Sequence, residues 1–243
     1  EKAKEYHQLA LEIRKEQLRP NHVDVATSYS NLGIVYHSTC DLEKTKEHYQ
    51  LALEIVKEQL GPNHVKVAIS YNNLGALYQD TGELEKAKEY FQLALEIQKE
   101  QLGPKHVSIA TSYSNLGSLY YDTGDLEKAK EYLQLTLEIQ KEQLGPRHVS
   151  IATSYNNFGI VYHDTGDLEK AKEYHQFALE IRKEQLGPNH ASVATSYNKL
   201  CLVYQHTGDL EKAKEYYQLA MEVQKEQLVP GHVDVATSYN NLA

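Results

Sequence analysis

Residues 66–107 read KVAISYNNLGALYQDTGELEKAKEYFQLALEIQKEQLGPKHV, and the spacing of apolar residues in this stretch decides the fold. Tyr71, Leu74, Gly75 and Tyr78 fall at i, i+3, i+4 and i+7, one face of a helix. Asp80-Thr-Gly-Glu83 breaks the pattern, and Glu83 stands where an N-cap belongs, as do Asp41, Asp125, Asp167 and Asp209 in the other turns. A second stripe follows in Leu84, Ala87, Phe91 and Ala94, widened by Tyr90 and Ile97. Gly103 offers a C-cap and Pro104 cannot continue a helix interior, so the stretch is a helical hairpin. Gly75 and Ala87 are small enough to let the two helices approach closely.

The hairpin recurs. Ala26, Ala68, Ala110, Ala152, Ala194 and Ala236 are each 42 residues apart, with no insertion between them. A fixed period of this size signals units that bury their apolar faces on one another. Complete repeats are expected at 26–67, 68–109, 110–151, 152–193 and 194–235. A second helix alone occupies 1–25, and 236–243 begins a further repeat. The expected fold is all-α, one continuous array of antiparallel hairpins over 1–243. Glu1 looks like a cut inside a longer array, and the absence of polar capping repeats raises head-to-tail self-association as a hypothesis.

Composition excludes several classes. A net charge of −9 argues against nucleic acid or an anionic membrane as the main partner, and no apolar run is long enough to span a bilayer. Two cysteines build no disulfide framework, so a reducing, cytoplasmic setting is expected. No nucleotide loop or paired-histidine zinc helix is found, and no catalytic site, metal or cofactor is expected. The carboxylates alternate with Lys86, Lys88 and Lys99 as on a solvated face. Loop histidines His22, His64, His106, His148, His190 and His232 sit one per hairpin, too far apart to share a metal and well placed to cap the following helix.

The set Tyr71, Leu74-Gly75, Tyr78, Ala87, Phe91 and Ala94 resembles the tetratricopeptide repeat (TPR) family. The segment 52–64 with Val67-Ala68 and Asn72-Asn73-Leu74 resembles the long repeats of the kinesin light chain and nephrocystin-3 type. Departures are Thr45 and Thr136 for Ala, Cys201 and Cys40 for Gly, and Leu133 and His175 in the second-helix aromatic position. The resemblance implies a right-handed superhelical solenoid whose first helices line a concave groove, and a protein-interaction adaptor with no enzyme activity.

Within that groove the sequence singles out two sets of positions. Asn31, Asn73, Asn115 and Asn157 recur every 42 residues, with Lys199 taking the next place. An amide both donates and accepts, so such a ladder suits either the backbone of an extended peptide or a bond to a neighbouring helix. His37, Gln79, Tyr121, His163 and Gln205 vary between near-copies and are expected to supply selectivity. Few cations face this register while Asp80, Asp122 and Asp164 stand beside it, which favours a neutral or basic peptide with an apolar anchor. Two rival expectations are a sensing or autoinhibitory region of a larger signalling ATPase and a self-assembling scaffold.

Overall fold

The computed structural model describes residues 2–227; His232 and the expected segment 236–243 lie outside the described residues. Eleven helices and no strand occur among them: α1 (Lys2–Gln17), α2 (Val23–Ser38), α3 (Leu42–Leu60), α4 (Val65–Asp80), α5 (Leu84–Leu102), α6 (Val107–Asp122), α7 (Leu126–Leu144), α8 (Val149–Asp164), α9 (Leu168–Leu186), α10 (Ala191–His206) and α11 (Leu210–Gln227). The all-α hairpin architecture read from the periodicity is present throughout.

Each boundary has a local cause. At His22, His64, His106, His148 and His190 the ring Nδ1 accepts a hydrogen bond from the amide two residues on, at 3.1–3.2 Å. These loop histidines cap the helices that follow them, as their spacing predicts. Asp41, Asp125, Asp167 and Asp209 cap the second helices by accepting from the amide three residues on. Side-chain hydrogen bonds from Lys44, Lys128 and Lys170 hold the Asp41, Asp125 and Asp167 carboxyls below their ordinary pKa. Glu83 departs from the expectation: it stands at the cap position but makes no side-chain cap bond. Its longer side chain carries the carboxylate past the amide to Lys86. The turn glycines take positive φ, as at Gly82 (78°), whereas Cys40 is forced to 58° in the same turn.

The contacts divide the chain into two compact units, the division falling between Thr123 and Gly124. In the first, α1 packs on α2, hairpins α2–α3 and α4–α5 form, α3 meets α4, and α5 meets α6. Val25, Leu32, Val67, Leu74, Phe91, Ile109 and Leu116 are fully enclosed there. In the second, α7 packs on α8, hairpins α8–α9 and α10–α11 form, and α9 meets α10. Ile151, Ala171, Ala178, Val193 and Leu200 are its enclosed core.

The close approach in each hairpin is specific. A Cβ added at Gly75 would lie 2.6 Å from the Phe91 ring. Gly33 stands in the same relation to Tyr49. Thr45 and Thr136, where Ala is expected, are fully buried and return their hydroxyls to the carbonyls of Asp41 and Tyr132 at 2.9 Å. Cys201 fills a buried packing position, and Cys40 is exposed.

Candidate functional site

Helical geometry brings Ile69, Asn73, Ala76 and Asp80 onto one stripe of α4. The corresponding stripes are Thr27, Asn31 and Ile34 on α2; Thr111, Asn115, Ser118 and Asp122 on α6; Thr153, Asn157, Ile160 and Asp164 on α8; and Thr195, Lys199, Leu202 and His206 on α10. Five residues of the predicted ladder, Asn31, Asn73, Asn115, Asn157 and Lys199, are half-buried.

The asparagine immediately before the ladder position behaves differently. Asn72 is buried; its amide donates to Ser112 Oγ at 2.9 Å and its carbonyl oxygen lies 3.2 Å from the same hydroxyl. Ser112 also bonds Gln98 Oε1 at 2.8 Å. This joint ties α4, α5 and α6 together. Asn115 leans towards it, its Nδ2 lying 3.5 Å from Asn72 Oδ1. The side chains of Asn31, Asn73 and Asn157 have no hydrogen-bond partner among the described residues. The interhelical use of an amide is thus made at Asn72, one residue before the ladder position.

The joint itself recurs and was not read from the sequence. Arg14 bonds Ser28, Gln98 bonds Ser112, Gln140 bonds Ser154 and Arg182 bonds Ser196, all at 2.7–2.8 Å and all fourteen residues apart. The signal was available: a long polar side chain on the buried face of a second helix needs a partner. Lysines of the solvated second-helix face also stand over tyrosine rings, with Lys86 itself remaining exposed. Lys46 and Lys86 flank the Tyr78 ring at 5.8 and 5.2 Å, and Lys130 and Lys170 flank Tyr162 at 5.2 and 5.0 Å. Each tyrosine thus has one lysine from its own hairpin and one from the preceding second helix.

Three of the residues expected to supply selectivity are engaged by their neighbours. His37 Nε2 lies 2.7 Å from Asp80 Oδ2. Gln79 donates to Ser118 Oγ at 3.0 Å and to Asp122 Oδ2 at 2.6 Å. His163 meets Asp164 and His206. His37–Asp80, Gln79–Asp122 and His163–His206 join consecutive first helices, where residue i of one repeat faces residue i+43 of the next. Tyr121 is half-buried, and Gln205 is exposed beside a cavity of 330 Å³ lined also by Asn198, Cys201, Leu202 and Tyr217.

Apolar side chains complete the stripes. Ile34, Ile69 and Leu202 are 52%, 51% and 43% exposed. Ile69 was missed in the sequence, although it stands where Thr27, Thr111, Thr153 and Thr195 stand in the other repeats. Among the described residues no group of three or more His, Cys, Asp and Glu side chains is set to hold a metal, and no helix is long and apolar enough to cross a membrane.

A family model described as tetratricopeptide repeat matches residues 1–50, 35–100, 67–142, 108–184, 150–200 and 192–243. No curated protein sequence matches at a significant level. Among solved structures, BtubC (BKLC) from P. vanneervenii is similar with a TM-score of 0.77 and 24% identity, covering 95% of this chain and 94% of that one. The nearly identical TPR-like repeats of a putative kinesin light chain from Podosopora anserina give a TM-score of 0.68 and 24% identity over 85% and 98% of the two chains. A Rap protein complexed with competence and sporulation factor gives 0.70 and 21% identity, over 83% of this chain and 54% of that one. At these identities the likeness is one of fold.

Proposed function

The chain belongs to the tetratricopeptide repeat family, and on that premise we propose that it is a protein-interaction scaffold whose first-helix faces hold an extended segment of a partner. One observation carries the reading. The half-exposed amides of Asn31, Asn73 and Asn157 are unused by the fold while the adjacent Asn72 is consumed by it. An amide with a free donor and a free acceptor pairs with both groups of a peptide unit, irrespective of the partner's side chains. Ile34, Ile69 and Leu202 offer apolar contact, and the acidic ends of the first helices disfavour an acidic partner. The partner is accordingly a neutral or basic segment with an apolar anchor. The Rap relative, solved with competence and sporulation factor bound, supports the capacity of such a fold to carry a partner.

The test begins with a partner captured from the source cell and narrowed to a segment on a peptide array. Labelled segment is then titrated into wild type, Asn31→Ala/Asn73→Ala and Asn157→Ala. Affinity falls several-fold in the variants at an unchanged thermal midpoint. Unchanged affinity in all of them refutes the ladder.

A further inference from the structure

In the second unit the C-terminal turns of α8 and α10 bring two imidazoles together. His163 Nε2 lies 2.6 Å from His206 Nδ1, and His163 Nδ1 lies 2.9 Å from Asp164 Oδ1. An ionised carboxylate only accepts, so His163 carries its hydrogen on Nδ1 and presents a lone pair from Nε2. His206 then donates from Nδ1. The rings are 4.6 Å apart between centroids, tilted by 51°.

We infer that His163 and His206 form a binding site for a divalent transition metal of the zinc class, with Asp164 as the residue that orients His163. Metal-binding histidines characteristically give their second ring nitrogen to a carboxylate, which sets the tautomer and raises the basicity of the ligating nitrogen. Here that arrangement exists with a second imidazole already facing the lone pair. Two nitrogens at about 2.0–2.1 Å from a tetrahedral ion are about 3.3 Å apart, so the rings need separate by less than about 1 Å. Side-chain rotation supplies this, since His163 is half-buried and His206 exposed. On binding, His206 moves its hydrogen from Nδ1 to Nε2, so both lone pairs face the metal and no proton has to leave. Water completes the coordination from the open side. Imidazole donors select zinc, copper or nickel over magnesium and calcium.

The same positions do not offer this in the first unit. His37 faces the carboxylate of Asp80, and Gln79 faces Ser118 and Asp122. A metal at His163 and His206 clips α8 to α10 beside Asn157 and Lys199, and so stiffens that stretch of the first-helix face. The inference stands whether or not that face carries a partner.

Zinc chloride titrated calorimetrically into the chain is expected to bind at one saturable site per chain, with magnesium chloride giving none. His163→Gln and His206→Gln each weaken zinc by at least about ten-fold, and Asp164→Asn by about 10- to 100-fold while leaving both ligands in place. His148→Asn, which keeps a helix-capping side chain, leaves the affinity unchanged. Far-UV circular dichroism verifies that every variant stays helical. The proposal is overturned if no saturable site appears, or if zinc binding persists undiminished in both histidine variants and therefore belongs to the loop histidines.

Discussion

His175 lies so closely on Gly159 that a Cβ at residue 159 would fall 2.5 Å from the imidazole. Phe91 occupies the same position on Gly75, so a polar ring has taken the place of a hydrocarbon one in a dry joint. His175 is 2% exposed and its Nδ1 has no hydrogen-bond partner among the described residues. Burial, reinforced by the nearby basic side chains of Lys199, His163 and Arg182, pushes its pKa down to about 4.

Acid should therefore destabilise the fold through His175. Above its ordinary pKa of 6.5 the residue is neutral folded and unfolded, and nothing is lost. As pH falls from there towards 4, the unfolded chain takes the proton and the folded one refuses it. Stability drops by about 1.4 kcal/mol per pH unit, or about 3 kcal/mol across the window. In His175→Phe this contribution is absent, and the orphaned nitrogen is gone as well. Urea midpoints of the two proteins at pH 7 and pH 4.5 should diverge, with the variant the more stable at both. Parallel pH dependence would contradict the assignment.

Gly75→Ala tests the closeness of the joint. The new methyl meets the fully buried Phe91 ring, which has no solvent side to move into. A loss of about 1–3 kcal/mol is expected in chemical unfolding.

Cys40→Gly should act in the opposite direction. Removing the Cβ from a residue held at φ 58° relieves about 1 kcal/mol of backbone strain, and the exposed thiol goes with it. A higher thermal midpoint is the expected result.

Neighbouring asparagines should separate stability from binding. Asn72→Ala removes a buried bond to Ser112 and costs about 1–3 kcal/mol. Asn73→Ala, one residue on, changes stability by less than about 0.5 kcal/mol. Equal effects on the unfolding midpoint would show that the two side chains do the same job.

Arg182→Gln should be nearly neutral, because Gln98 and Gln140 fill the same place by accepting from their serine hydroxyls, where Arg182 donates to Ser196. Arg182→Ala leaves Ser196 without that partner and is expected to cost about 1–2 kcal/mol, read from the urea midpoint.

Much of the molecule was legible in advance because its determinants are local. The hairpins, their histidine caps and the small residues at Gly33, Gly75 and Gly159 all follow from spacing along one helix and from backbone geometry. Glu83 holds the expected N-cap position but makes no cap bond, for a reason of length: its carboxylate, one methylene further out, pairs with Lys86. His37, Gln79 and His163 were read as positions of selectivity, and their bonds to the next first helix were not foreseen, because the sequence does not say how far a side chain can reach across a joint.

The sequence alone determined the period, the helix ends and the register in which asparagines repeat. Those properties depend on covalent geometry within a few residues, and the described repeats share them with local exceptions at Cys40, Glu83 and Lys199. Only the tertiary structure decided that Asn72 is spent on Ser112 while Asn73 is not, that Arg182 seeks Ser196, and that His163 finds His206. Such pairings span fourteen to forty-three residues of chain, and they depend on the packing distance between helices and the rotamer each side chain adopts there. Periodicity says which face a residue shares; it does not say which atom on the next helix lies within 3 Å of it.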